Sequence, residues 1–585
     1  MQVVLLMEDI DDLTSLPKNN IQMMIEVEGR LRKQVPPIET FRVTKYLPWE
    51  QLYYFNILAR NIAGKWYFVE GSDQTISEEL GISIGDCLRF SLGIFIARSL
   101  RHGELISRIA TIEGLTRIWV WGKSNPAIEN AAQMLSVPFE IIPARKPWQR
   151  GCLGESRVAQ QFLSKVKRVM YEWPKLIAGS LSTTPISVFG QSLKIFAPKD
   201  VATADFVSRI AERLKATVYW DVPDVRYSAK WMRIQNRDAY RKQLDFILKS
   251  DAYMLLVESL PSWFRSALTG WLSKNFPIAA ERLLRNAVRF RAFLEEIPVD
   301  IALMPMAWGG EMRAYMHVAR QFGIPTVVIQ DGILAKDYES CVPPVAADYA
   351  LVLGESGRLW FQDAGIPSSN IFVIGSLLWN PKVTTVDEAG IEERRLDPTE
   401  RKATVVYIAP RPAVHGAQFS EFEAEEQIEL VCRTLANCNE LDLVVKLHPR
   451  SIQWPGQRWV TRIQSTIRKA SGGRATIVDP NMDLFSLLGQ ADIVVSYLST
   501  SLIQAILVRK PVILCEFSGR RMDIEEKVPI AYSPDNLVRL INEALRNPQR
   551  FCDALEPVVR SHVSLLTNIE DVTDFITAIN TARRV

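Results

Sequence analysis

Short apolar runs of strand length alternate with longer amphipathic stretches along almost the whole chain. That alternation predicts α/β construction on parallel sheets. Three blocks separate. In residues 1–150, Thr116-Arg-Ile-Trp-Val-Trp-Gly122 reads as a strand, Pro126 to Leu135 as a helix and Pro138-Phe-Glu-Ile-Ile142 as a second strand,. This block suits a small Rossmann-like or accessory α/β domain. Glu70-Gly-Ser-Asp73 and Gly81-Ile-Ser-Ile-Gly85 read as turns within it,.

A helical connector is expected over 151–185. The second block, 186–390, opens with a strand at 185–189 and a helix at 202–214, and it is mostly helical from 237 to 297. Strands follow at 299–304, at 323–332 with a turn at its end, at 349–354 and at 371–375, with a helix after Trp308-Gly-Gly-Glu311,. Polar residues cluster near 383–402. Beyond them, in 400–585, strands are predicted at 403–409, 442–446, 475–478, 493–496 and 512–515 with helices between. The expected fold is two facing, doubly wound, Rossmann-like domains behind an N-terminal α/β domain. Ligands in such sheets bind beyond the carboxyl ends of the strands, so a cleft between two of them is the natural site.

Polar residues gather at those strand ends. Gln330-Asp331-Gly332 places a carboxylate after an apolar strand, positioned either as a general base or as the cap of a turn,. Lys446-Leu447-His448-Pro449-Arg450 offers three cationic or potentially cationic side chains within five residues, a set suited to phosphate,. Ser496-Tyr-Leu-Ser-Thr-Ser501 leads into a helix. Its hydroxyls and free N–H groups either form a phosphate pocket or simply cap the helix,. Arg411 and His415, in the loop after the first strand of the third block, are a fourth and weaker group.

Composition removes several classes. Sixty-nine basic against 66 acidic residues leave a formal charge of +3, without the strongly basic domain of a nucleic-acid binder,. Seven widely spaced cysteines lack any Cys-x-x-Cys, and the five histidines show no ligand spacing, so neither a disulfide framework nor a metal site is expected,. The first residues lack the basic flank and apolar core of a signal peptide, and no run reads as a membrane span. A cytoplasmic protein is therefore expected,. Arg282, Arg285 and Arg289 recur at helical spacing. They read either as a solvated face or as a peripheral contact with the inner membrane face,.

In order and spacing, Asp331-Gly332, His448-Pro449 and Ser499-Thr-Ser501 resemble the motifs of bacterial GT-B transferases of surface carbohydrates. That group holds polysialyl- and sialyltransferases, capsular Kdo transferases and CDP-glycerol glycerophosphotransferases. The likeness spans roughly 186–560. It implies a metal-independent glycosyltransferase with no tightly bound cofactor, using a CMP- or UDP-linked sugar donor and an oligosaccharide or glycolipid acceptor. Asp331 would deprotonate the acceptor and His448 would engage the donor phosphate. Lys446, Pro449, Arg450, Ser499, Thr500, Ser501, Gln504, Arg411 and His415 would line the nucleotide side. Gln330 stands where relatives carry an acid, Gln504 where they often carry Glu, and Arg509 where they carry Gly. Two alternatives are a nucleotide-sugar 2-epimerase and a catalytically silent sugar-nucleotide-binding assembly protein.

Overall fold

The computed structural model describes residues 1–6, 21–26, 39–42, 45–67, 82–122, 125–143, 192–200, 202–222, 237–258, 260–305, 309–332, 345–379, 402–410, 421–451, 457–497, 499–517, 528–564 and 568–584. The expected connector at 151–185, the strand at 185–189, the turn at 70–73 and the polar linker at 383–401 lie outside them.

The first sheet contains β1 (Gln2–Leu6), β2 (Met23–Glu26) and β3 (Glu39–Arg42). Helices α1 (Trp49–Lys65) and α2 (Ile84–Glu113) lead to β4 (Arg117–Trp121), α3 (Pro126–Met134) and β5 (Phe139–Ile142). All its strands are parallel in the order β3-β2-β1-β4-β5. The turn expected at 81–85 is instead the start of the long α2, where the Ser83 hydroxyl accepts the Asp86 N–H,.

The second sheet runs through β6 (Lys194–Phe196), α4 (Ala204–Leu214), β7 (Thr217–Tyr219), α5 (Arg237–Leu248), α6 (Asp251–Glu258) and α7 (Ser262–Glu296). It continues with β8 (Ile301–Met304), α8 (Gly310–Gln321), β9 (Thr326–Ile329), β10 (Tyr349–Val352), α9 (Glu355–Asp363) and β11 (Ile371–Val373). Its order is β11-β10-β9-β8-β6-β7.

The third sheet contains β12 (Ala403–Ile408), α10 (Glu421–Ala436), β13 (Leu441–Lys446), α11 (Gln457–Ala470), β14 (Thr476–Val478), α12 (Leu484–Gln490) and β15 (Ile493–Ser496). After them come α13 (Thr500–Leu507), β16 (Val512–Cys515), β17 (Ile530–Ala531), α14 (Pro534–Arg546), α15 (Pro548–His562) and α16 (Ile569–Arg584). The order is β14-β13-β12-β15-β16-β17, that of dinucleotide-binding sheets,. The two-residue β17 was not among the expected strands.

Strand alternation sorts side chains into separate cores. Tyr407 and Val445 face α10, α11 and α14 in a core that belongs to the third sheet alone. Val406 and Val494 share a core with Leu303, Val327 and Leu351 of the second sheet, closed by α13, α15 and α16. The second sheet's opposite face, with Phe196, Ala302 and Val328, joins α7, α8, α2, α3 and one face of the first sheet. Neighbouring sheets are thus bonded through common cores.

A buried ionic cluster pins the first block to the second. Asp86 of α2 meets Arg313 of α8 at 2.7 Å and His317 Nε2 at 2.9 Å, and it also pairs with Arg89 at 2.8 Å. The Arg89 guanidinium and Asp86 both hydrogen-bond the Tyr67 hydroxyl. Burial alone would raise the Asp86 carboxyl; the His317 hydrogen bond and the Arg313 charge outweigh it and hold the group below the usual carboxylate value,. Burial, and then the Arg313 charge, pulls Arg89 down to about 9.

The last segment returns to the second sheet. Ser564 N–H donates to the Leu353 carbonyl (2.8 Å), and Ser376 N–H donates to the Ser564 carbonyl (3.0 Å). Two glycines let it pass. A β-carbon on Gly354 would lie 2.5 Å from the His562 carbonyl carbon, and one on Gly375, whose φ is +57°, would strike the Ser564 carbonyl,. Phe575 of α16 then stacks on Phe372 at 4.9 Å and meets Tyr349 edge-on,.

Candidate active site

Strand register decides which loops share an edge. Ile408 pairs with Lys446 on one side and with Ser496 on the other, so the segments after β13, β12 and β15 all leave the third sheet from one row. The connection order reverses between β12 and β15, the position where sheets of this order hold their ligands,. Ser499 and Thr500 stand there, at the start of α13.

Ser499 occupies the N-cap position with extended backbone, but its hydroxyl makes no capping bond. It lies 3.5 Å from the Ser496 hydroxyl, which bonds the Tyr497 carbonyl at 2.9 Å. The plain capping role does not occur here. The first turn of a helix directs unpaired N–H groups outward, so the hydroxyls and the helix end together suit an anion. Ser501 and Gln504, both half-buried, belong to the same short helix.

The second sheet meets this helix end directly. A β-carbon placed on Gly332 would lie only 2.7 Å from Thr500 Oγ1, so glycine is what lets the turn after β9 approach α13,. Asp331, half-buried, is the residue before it. Gln330, buried to 5% exposure, wires the turn from behind. Its Nε2 donates to the Gly332 carbonyl (2.8 Å), and its Oε1 accepts the Leu353 N–H (3.0 Å). A side chain on Gly357 would collide with that same Oε1. An amide at this position thus has a physical role that an acid would not fill. An ionised acid accepts from Leu353 but cannot donate to Gly332.

Lys446 requires a correction. It was expected to reach phosphate, but its side chain is buried and its ammonium donates to the Pro480 carbonyl at 2.5 Å, tying the end of β13 to the turn after β14. Burial lowers its pKa, opposed by the charges of Asp479 and Asp483,. His448 is half-buried, and its carbonyl accepts the Ser451 N–H (2.9 Å) in the single 3₁₀ turn Pro449–Ser451. The Arg450 side chain, and all of Arg411 and His415, lie outside the described residues.

The arginine face is also revised. Arg282 and Arg285 are exposed and Arg285 pairs with Glu281 (3.0 Å), but Arg289 is half-buried and its charge acts on Tyr315. Sequence reasoning missed Gln330 as a clamp and Glu516, a fully buried carboxyl at the end of β16. A polar residue closing an apolar strand was the signal for both. Among the described residues no cluster of His, Cys, Asp or Glu is arranged to hold a metal, and no helix is long and apolar enough to cross a membrane.

No family model and no curated protein matches the chain. Solved structures do. The S. aureus MnaA–UDP co-structure shares 12% identity at a TM-score of 0.41, over 66% of this chain and 96% of that one. The UDP-GlcNAc 2-epimerase of Neisseria meningitidis bound to UDP-GlcNAc gives the same identity and score over 66% and 99%. A glycosyltransferase of Rickettsia africae gives 12% and 0.38 over 67% and 99%. At such scores this chain's own residues carry the reading that follows.

Proposed function

We propose that the chain is a glycosyltransferase that moves a sugar from a CMP- or UDP-linked donor to a surface polysaccharide or glycolipid acceptor, without a metal. The observation that carries this reading is the approach of Gly332 to Thr500. It brings the turn that carries Asp331, at the end of β9, against the first turn of α13. In this reading the donor phosphate rests on the first turn of α13 and the hydroxyls of Ser499 and Thr500, with His448 as a further donor to its oxygens. Asp331 takes the proton of the acceptor hydroxyl as that oxygen attacks the sugar, and the nucleotide departs with its charge held at the helix end. Sialic-acid-like and Kdo-like donors are the sugars the motif resemblance favours.

Two variants separate these roles. Asp331→Asn keeps shape but cannot accept the proton, so turnover falls by about 10²–10⁴-fold with nucleotide affinity unchanged. His448→Ala weakens nucleotide binding and turnover together. Calorimetric titration with CMP and UDP and initial rates of nucleotide release measure both. Full activity in Asp331→Asn would remove the carboxylate from the chemistry. Interconversion of the donor sugar without any acceptor would replace the transferase reading by an epimerase, and nucleotide binding without turnover of any donor would leave a binding protein.

A further inference from the structure

The connection from β7 to β8 is much longer than a single crossover helix needs, because it contains α5, α6 and α7. Its outer surface repeats one pattern. Lys242 and Phe246 of α5 and Lys249, the residue just past its end, are all exposed and three to four residues apart, so the 53%-exposed phenylalanine stands between two cations,. On α7, Lys274, Ile278 and Arg282 are likewise exposed and one turn apart, with the isoleucine 57% exposed, and Arg285 continues the stripe,. Between these two helices in the chain, α6 leaves Met254 and Leu255 in solvent, the latter at 70%. The acids near these stripes are Asp245, exposed beside Phe246, and Glu281, which is tied to Arg285. Asp251 and Glu258 are exposed at the two ends of α6, so Met254 and Leu255 are framed by acids and stand outside the basic pattern.

Large apolar side chains in water are disfavoured unless something covers them, and α5 packs along α7, so the two stripes belong to one helical layer,. The flanking cations select the cover. An apolar side chain framed by Lys and Arg fits the boundary of an anionic bilayer, where the ring or branched chain enters the acyl region while the cations reach the phosphates. From these two stripes we infer that α5 and α7 form a peripheral docking face for an anionic lipid surface. The inference is independent of the transferase reading, since it needs neither Asp331 nor the α13 helix end. It also shifts the arginine trio read from sequence, because Arg289 is half-buried whereas Lys274, Ile278 and Arg282 are exposed.

The test is co-sedimentation of the full chain with phosphatidylcholine vesicles and with vesicles containing one quarter phosphatidylglycerol. Binding is expected only to the second, weakening as salt is raised. The double variant Lys242→Glu/Arg282→Glu should bind those vesicles at least about tenfold more weakly. Phe246→Ser/Ile278→Ser should weaken binding and make the remainder fully salt-sensitive. All four sites are exposed, and circular dichroism verifies that the variants stay folded. Equal binding to both vesicle types, or no loss in the charge-reversed variant, overturns the proposal. So does a dimer in light scattering that Phe246→Ser/Ile278→Ser dissolves, because a second copy of the chain would then be the cover.

Discussion

Asp86 and Gln330 are both buried against the helices of the second sheet, yet Asp86 gathers two guanidiniums and an imidazole while Gln330 spends a neutral amide on two backbone groups. The charged cluster joins α2 to α8 across the junction between two blocks. There the cost of burying a carboxylate is offset by three partners, and its strength varies with pH. The neutral clamp lies one residue from Asp331, and a charge at that distance would shift the very group proposed to accept a proton. Ionic fastening is used where electrostatics are free to vary, and amide fastening where they must not.

The contrast is broken most easily at the ionic end. Asp86→Asn strands two buried guanidiniums and should cost about 3–5 kcal/mol, seen as a fall in urea midpoint with the slope unchanged. In the unmodified protein the Asp86 carboxyl titrates below its unfolded value. Its stabilisation is therefore complete above the ordinary aspartate pKa, about 3.9, and is lost as pH falls through the lower folded-state value,. Urea midpoints between pH 7 and pH 2 should show that loss in the protein and not in Asp86→Asn.

Next in size is Lys446→Met, which deletes the bond to the Pro480 carbonyl and should cost about 1.5–3 kcal/mol,. Nucleotide affinity of the folded fraction should stay unchanged. A loss of affinity at constant melting temperature would return Lys446 to the phosphate. Gln330→Glu should cost about 1–3 kcal/mol at neutral pH, because a carboxylate then faces the Gly332 carbonyl,. Its sign is opposite to that of Asp86. The folded state favours the protonated acid, so stability falls as pH rises past the free glutamate value and levels off above the raised one. Smallest is Arg285→Ala, which removes an exposed pair and should change stability by no more than about 0.5 kcal/mol in thermal unfolding,.

The sequence-level reading fares unevenly, for physical reasons. The central strands β12, β15 and β16 are buried along most of their length, so they read as near-continuous apolar runs, and the expected 403–409, 442–446, 475–478, 493–496 and 512–515 meet β12 to β16 within a residue,. The three-residue β6 and two-residue β17 are too short for any period to show. At the candidate site, strand-end placement of Asp331, His448 and Ser499 was legible because it needs only the local pattern. The approach of Gly332 to Thr500 was not, since no local rule relates residues so far apart in the chain. Lys446 was misread because its alternation alone does not reveal that the Pro480 carbonyl waits beneath it. The Asp86–Arg313 pair is as remote in sequence and as invisible.

The return of the C-terminal segment bears on the order in which the protein is made. Phe372 and Tyr349 leave the ribosome about two hundred residues before Phe575, the ring that covers them. At about 5–20 residues per second that interval lasts roughly 10–40 s. During translation the second sheet must therefore wait with an uncovered aromatic edge until the final helix is synthesised, and a nascent chain stalled before residue 563 would carry that edge into the cell unprotected.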